Sequence, residues 1–208
     1  MPTCFLVGAA PEAADAPRVS PGDFVIAADG GMDHLRRWGI VPDLVVGDMD
    51  SLQTGLPDDT PSRLFPAEKD STDMELALEE GLRHGYRRFE LLGASGDRPD
   101  HTFANLQLLV KAAKRGATAI LHMDGWRCTA LCGKSRIQLT GKGLVSVFAY
   151  GEKAKGVTIT GMKYALARET LDGAIPRGVS NELDGEGQIS LEEGTLLCYW
   201  ENQMEVVI

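Results

Sequence analysis

Four short stretches of the chain set carboxylates, glycines and a few cations where apolar runs end. In "LVVGDMDSL", Leu44 to Leu52, Asp48 and Asp50 stand one residue apart after a strand-like segment. On an extended chain their side chains point the same way, about 6–7 Å apart at ~3.3 Å per residue. At an effective dielectric of about 20 their repulsion is on the order of 2–3 kcal/mol. A divalent cation removes that penalty, and Mg²⁺ takes one or two carboxylates together with waters and substrate phosphates. Taken alone, the pair fits a solvated turn equally well, with Asp50 or Ser51 capping the next element.

The other three stretches share the pattern. In "AADGG", Asp29 follows the run "FVIAA", and Gly30 and Gly31 open a helix whose free backbone N–H groups can face an anion. A Gly-Gly strand-to-helix turn is as often plain turn chemistry. In "EKDSTDMELAL", Asp70 and Asp73 flank a helix start, where the dipole favours carboxylates in any case. Lys69 opposes that dipole, yet an ammonium there can reach phosphates held at the same N-terminus. In "LLGASGDRPDHTFANL", Gly93 and Gly96 let a backbone approach phosphate, Arg98 adds a cation, and Asp100 and Asn105 offer oxygen ligands. As plain helix chemistry, Asp100 is an N-cap and His101 a first-turn residue. Each stretch has a bland reading, but four of them at the ends of strands in one sheet point to Mg²⁺-dependent phosphoryl chemistry on a nucleotide. Neither a G-x-x-x-x-G-K-[ST] loop nor a G-x-G-x-x-G fingerprint is present.

The elements that must position these residues are legible as periodicity. "TCFLVG", "FVIAA", "LVVG", "FELLG" and "TAILHM" are apolar runs suited to strands buried on both faces. Between them, "GMDHLRRW" predicts a short helix. Thr72 and Glu75 make a capping box for a helix with a Met74, Leu78 and Leu82 stripe and a stop at Gly85. A third helix is expected from Asp100 to Gly116, buried through Phe103, Leu106, Val110 and Ala113. Strands alternating with helices predict a mostly parallel, Rossmann-like α/β sheet with ligands beyond the carboxyl ends of its strands. After about residue 126 the texture changes to short alternating segments between Gly-rich turns, such as "RIQLTG", "LVSVFAYG", "GVTITGMKYAL" and "TLLCYWE". The expected organisation is an α/β domain over 1–125 and an antiparallel β module over 126–208, closely packed.

Composition excludes several function classes. With net charge -9 and 25% charged residues, and no basic cluster beyond pairs such as Arg36-Arg37, the chain lacks the footprint of a nucleic-acid binder. No apolar run approaches the roughly 18 residues of a membrane span. The N-terminus lacks a basic n-region, so a cytoplasmic chain is expected. Four cysteines without a C-x-x-C pair are expected to be reduced and to carry no chemistry.

Taken together, "ADGG", "PDLVVGDMDS", "KDSTDMELAL", "GASGDRPDHTFANL" and "GMKYAL…GVSNE" resemble the thiamine pyrophosphokinase family in order and spacing, from about Cys4 to Trp200. The resemblance implies transfer of the pyrophosphoryl group of ATP to the hydroxyl of thiamine with Mg²⁺, giving thiamine diphosphate and AMP. It further implies a homodimer, an N-terminal domain holding ATP and metal, and a C-terminal β-sandwich that binds thiamine. By matching position, Asp48, Asp50, Asp73 and Asp100 resemble the acids that organise metal and phosphates and serve catalysis. Asp29, Gly30, Gly31, Lys69, Thr72, Gly93, Arg98, His101 and Asn105 resemble nucleotide contacts, and Ser180 and Asn181 resemble thiamine contacts. The chain departs from the family pattern at Met49, and at Asp97 and Pro99, where Asp97 sets another negative charge beside the triphosphate. Another heterocyclic alcohol as acceptor, such as a hydroxymethylpterin, and a sensor that binds without turnover are the alternatives.

Overall fold

The computed structural model describes residues 1–11, 15–47, 61–64 and 70–208. Two compact units divide the chain, Met1–Ala112 with Ala119–Asp124, and Ala113–Thr118 with Gly125–Ile208.

In the first unit the apolar runs form strands β1 (Cys4–Val7), β2 (Phe24–Ala28), β3 (Leu44–Gly47), β5 (Arg88–Leu92) and β6 (Thr118–Met123). A short β4 (Ser62–Leu64), too polar and brief to be read from periodicity, pairs with β3. The strand order is β6-β5-β1-β2-β3-β4, with β1 parallel to both β2 and β5, β2 parallel to β3, and β3 parallel to β4. The chain therefore steps outward from β1 to β4 and then returns to the other side of β1. The β1/β5 junction is the topological switch point, where an open α/β sheet leaves a crevice beyond its carboxyl ends.

Helices α1 (Gly31–Trp38) and α2 (Asp73–Arg83) cover opposite faces of this sheet. Phe5, Val7, Val25, Ala27 and Val45 pack with Met32 and Leu35 of α1 in one cluster. Strand alternation turns Cys4 to the other face. There Gly81 of α2 lies so near that a Cβ on it would stand 2.5 Å from Phe89 Cε1 and 2.9 Å from Cys4 Sγ. Leu35 and Leu78 are fully buried, each stabilising the fold by about 1.5–3 kcal/mol over an exposed side chain. The capping box forms as expected, with Glu75 N donating to Thr72 Oγ1 at 3.2 Å, and Met74 and Leu78 are buried.

Helix α3 (Pro99–Lys114) buries Val110 as its periodicity suggests, but its buried face is otherwise shifted. Phe103 is 55% exposed, and the inward positions include Asn105, Leu108, Leu109 and Ala112, spaced i, i+3, i+4, i+7. A polar residue sits on the inner stripe because Asn105 Nδ2 donates to the buried Ala94 carbonyl at 2.7 Å. That bond removes the cost of burying its amide.

The second unit is antiparallel throughout its strand pairs. It contains β7 (Trp126–Cys132), β8 (Ser135–Ala149), β9 (Lys153–Met162), β10 (Leu166–Asp172), β11 (Gly178–Leu191), β12 (Thr195–Glu201) and β13 (Glu205–Val207). The order is β10-β9-β11-β8-β12-β7. Opposite β11, β8 pairs with β13 at Gln138 to Thr140 and with β12 at Val145 to Ala149. The expected all-β module is present, and its strands share one hydrogen-bonded path. Its buried side chains include Ile137, Val147, Ile159, Ile189 and Trp200.

The four cysteines are free thiols. Burial pushes Cys198 up to about 12 and raises Cys4 and Cys128 as well, which leaves these three as inert packing groups. Among the described residues no helix is long and apolar enough to cross a membrane.

The tightest helix-to-sheet approach is at Gly31. A Cβ there would lie 1.8 Å from the Val7 carbonyl oxygen, a backbone atom that cannot swing aside. Gly31→Ala is expected to destabilise the fold by about 1–3 kcal/mol through forced separation of α1 from β1. Urea unfolding of the two proteins measures this directly.

Candidate active site

At the switch point the loops leaving β1 and β5 run against each other as bare backbone. Gly8 N donates to the Leu92 carbonyl at 2.8 Å and Ala10 N to the Gly93 carbonyl at 2.9 Å, so the β1/β5 contact continues past both strands. A Cβ on Gly8 would meet the Gly93 oxygen at 2.5 Å, and one on Gly93 the Gly8 oxygen at 2.4 Å. Gly93 also has φ 57°, a left-handed conformation that suits glycine. The sequence reading took Gly93 as a phosphate approach; its type is demanded first by this backbone contact.

Above these loops lies a cavity of about 550 Å³, within the range of small-molecule sites. It is walled by residues 8–11 after β1, Ala28 at the end of β2 with Asp29 next to it, 71–74 at the start of α2, 93–98 after β5, and His101, Thr102, Ala104 and Asn105 of α3. Asp29, Thr72, Asp73, Gly93, Arg98, His101 and Asn105, drawn from three of the four stretches, thus line one space. Asp48, Asp50 and Lys69 lie outside the described residues. Gly47, just before Asp48, packs on Asp29, where a Cβ would stand 3.2 Å from Asp29 Cα. Asp29 has φ 49°, a conformation that aspartate tolerates better than most residues.

Three expected contacts are placed differently. Gly30 and Gly31 are buried beneath the β2–α1 turn and are not among the lining residues. The close approach to Val7 demands glycine at position 31. Asp100 is likewise not among the lining residues, because its carboxylate is turned onto Arg98. The apolar wall Gly8 to Pro11 was missed, since small residues after a strand carry no chemical signature; Gly8 itself was the available hint.

In the second unit Ser180 and Asn181 sit in a β-bulge. Four residues of β11, Gly178 to Asn181, span three of β8, Val147 to Val145, and Ser180 takes φ 57°. Ser180 is exposed, with its N–H donating to Ser146 Oγ at 3.0 Å. Asn181 is 6% exposed. Its amide donates to the Tyr164 carbonyl at 2.8 Å and accepts from Tyr164 N at 2.9 Å and Glu182 N at 3.0 Å. These backbone groups engage the amide, so Asn181 braces exposed Tyr164.

Residues 18–121, half of the chain, match the sequence profile described as thiamin pyrophosphokinase, catalytic domain, and residues 134–196 match that of its vitamin B1 binding domain. The chain belongs to the thiamin pyrophosphokinase family. The thiamine pyrophosphokinase of Bacillus subtilis (strain 168) is 29% identical over 181 residues, covering 83% of this chain and 84% of that protein. A crystal structure of thiamine pyrophosphokinase from Bacillus subtilis superposes with TM-score 0.85 at 24% identity, over 96% of this chain and 98% of that one. One from Geobacillus thermodenitrificans gives 0.81 at 29% identity, over 97% and 98%. In activity the chain is thus a thiamine pyrophosphokinase, with the catalytic and vitamin-binding regions of that family in sequence order.

Within this family member the Arg98–Asp100 pair is the most clearly perturbed charge at the site's edge. Arg98 Nε donates to Asp100 Oδ1 at 3.0 Å and its terminal nitrogen to Oδ2 at 2.6 Å, both side chains being 63% exposed. This fork holds the Asp100 carboxyl well below the usual carboxylate range. Its folded value is depressed, so whatever stability the pair contributes is present above the unfolded value and lost as pH falls toward the folded one. Arg98→Gln is expected to raise the Asp100 titration toward the ordinary carboxylate value of about 3.9, read by carboxyl-carbon NMR on the labelled protein.

Proposed function

We propose that the cavity beyond β1, β2 and β5 binds ATP with Mg²⁺, and that the thiamine hydroxyl attacks the β-phosphorus with AMP leaving. The observation that carries this reading is the convergence of Asp29, Asp73, Asp97, Arg98 and Asn105 on one cavity at the switch point of a family member. Asp29, Asp73 and Asp97 line this cavity with oxygen, the ligand type a hard cation takes, and among the described residues no three acids stand together as a ready-made metal site. Bound there, with Asp48, Asp50 and Asp100 as further candidate ligands, the ion supplies charge neutralisation to the phosphates. Arg98, released from Asp100, contributes a second cation. The glycine backbone at Gly93 and Gly96 lets the phosphates approach closely, and Thr72 and His101 stand at helix starts where N–H groups favour anions. Lys69 is assigned to the same phosphates from its place before α2.

In the transfer, a bond forms between the thiamine oxygen and the β-phosphorus. The bond from that phosphorus to the oxygen bridging it to the α-phosphate breaks, and AMP leaves with the electron pair. The hydroxyl proton goes to a carboxylate. Asp73, which lines the cavity at the start of α2, is assigned that role.

The domains are assigned as 1–125 for ATP, metal and catalysis, and 126–208 as a β-sandwich for thiamine, in a cytoplasmic homodimer. Ser180 meets thiamine from the bulge, while Asn181 holds Tyr164, which is 57% exposed and able to receive a thiazolium cation on its face.

Incubating the chain with ATP, Mg²⁺ and thiamine, and separating the nucleotides, is expected to yield AMP and thiamine diphosphate. ADP as product would overturn the pyrophosphoryl step, and tight thiamine binding without AMP would favour a sensor. Asp73→Asn is expected to lower kcat by about 10²–10⁴-fold with the melting temperature unchanged.

A further inference from the structure

A histidine that does not line the cavity holds its wall. His34 lies on α1, is 4% exposed, and stacks on Trp38 with ring centroids 5.6 Å apart. Its Nε2 is 2.8 Å from the carbonyl oxygen of Ala10, and its Nδ1 is hydrogen-bonded by the terminal nitrogen of Arg37. A guanidinium has only donors to offer, so Nδ1 accepts and Nε2 carries the proton that goes to Ala10. Both ring nitrogens are therefore committed in the neutral form. Burial lowers the His34 pKa, the Ala10 bond opposes that, and Arg37 lowers it further.

The bond matters for the site through the segment it holds. Ala10 belongs to the wall formed by residues 8–11. Its N–H is tied to Gly93 of the β5 loop, while its carbonyl is tied by His34 to α1. The His34 ring also fills the space beside Gly93, whose added Cβ would stand 3.3 Å from His34 Cδ2. A Cβ on Gly96 would come 3.5 Å from Ala10 Cβ and 3.6 Å from Pro11 Cδ, so this wall rests against the loop that carries Arg98. One side chain thus joins α1 to the two loops that meet at the switch point.

We propose that His34 is a positioning residue for the nucleotide: its donation to the Ala10 carbonyl fixes the 8–11 wall against the Gly93–Arg98 loop and so sets affinity for ATP. This rests on the reading that the cavity takes ATP. Thiamine affinity and the transfer step are left untouched, because His34 contacts neither the acids nor the second unit's bulge.

The test compares the unsubstituted chain with His34→Phe, which keeps a ring beside Trp38 but removes the donor, and with His34→Gln, whose amide returns an N–H near the Nε2 position. Binding of a non-hydrolysable ATP analogue with Mg²⁺ is measured by calorimetry, and KM for each substrate and kcat by AMP release. Loss of one hydrogen bond of about average net strength corresponds to roughly a fivefold to tenfold effect. His34→Phe is expected to raise KM for ATP and Kd for the analogue by that factor, with kcat and KM for thiamine within about twofold and His34→Gln close to the unsubstituted chain. His34→Met serves as the donor-free variant if Phe prevents folding. Unchanged ATP affinity without the donor overturns the proposal, as does equal damage to both substrates and kcat that Gln does not rescue. If the unsubstituted chain itself fails to bind the analogue, the assignment of the cavity to ATP falls, and the role of His34 falls with it.

Discussion

The contact between Gly8 and Gly93 is the constraint on which the first unit's site depends. Neither residue can carry a side chain without striking the other's carbonyl oxygen, within 2.4–2.5 Å. With both bare, the loops leaving β1 and β5 continue hydrogen bonding beyond the strands and form a common floor. Asp29, the start of α2 and the loop carrying Arg98 are arranged around that floor. A similar close approach, Gly31 on the Val7 carbonyl, sets α1 against the same strand. Glycine at these points serves the packing of backbone on backbone, and the cavity is its consequence.

Around this rigid centre the charges are held by local partners. Arg98 and Asp100 neutralise each other at the rim, which keeps a cation and an anion close to the cavity without the cost of an unpaired charge. Asn105 is buried with its amide donating to the Ala94 carbonyl, and it thereby reaches the cavity from the inner face of α3.

The second unit reaches a comparable precision by an irregularity. An extra residue in β11 puts Ser180 into a left-handed conformation and turns Asn181 inward, where it secures the backbone of Tyr164. A bulge of the same kind, four residues against three, occurs between β10 and β9 at Arg168, which also has positive φ. Such bulges re-aim side chains next to binding sites. Here one leaves a hydroxyl and an aromatic ring exposed on a firmly bonded strand pair.

Much of this was legible in the residues themselves. Apolar runs and the Thr72–Glu75 capping box gave the strands and α2, because burial and capping are local demands that repeat with the period of the element. The family and its activity were readable from motifs that keep their order and spacing along the chain. Three things were decided only by tertiary structure. Asn105 faces inward because the fold brings the Ala94 carbonyl, eleven residues earlier, within reach of its amide. Asn181 braces Tyr164 because a bulge created by pairing with β8 turns it inward. Asp100 turns from the cavity because Arg98 forks onto it. Residue type and periodicity report what a side chain can do alone, whereas each of these outcomes depends on which partner the folded backbone brings within hydrogen-bonding distance.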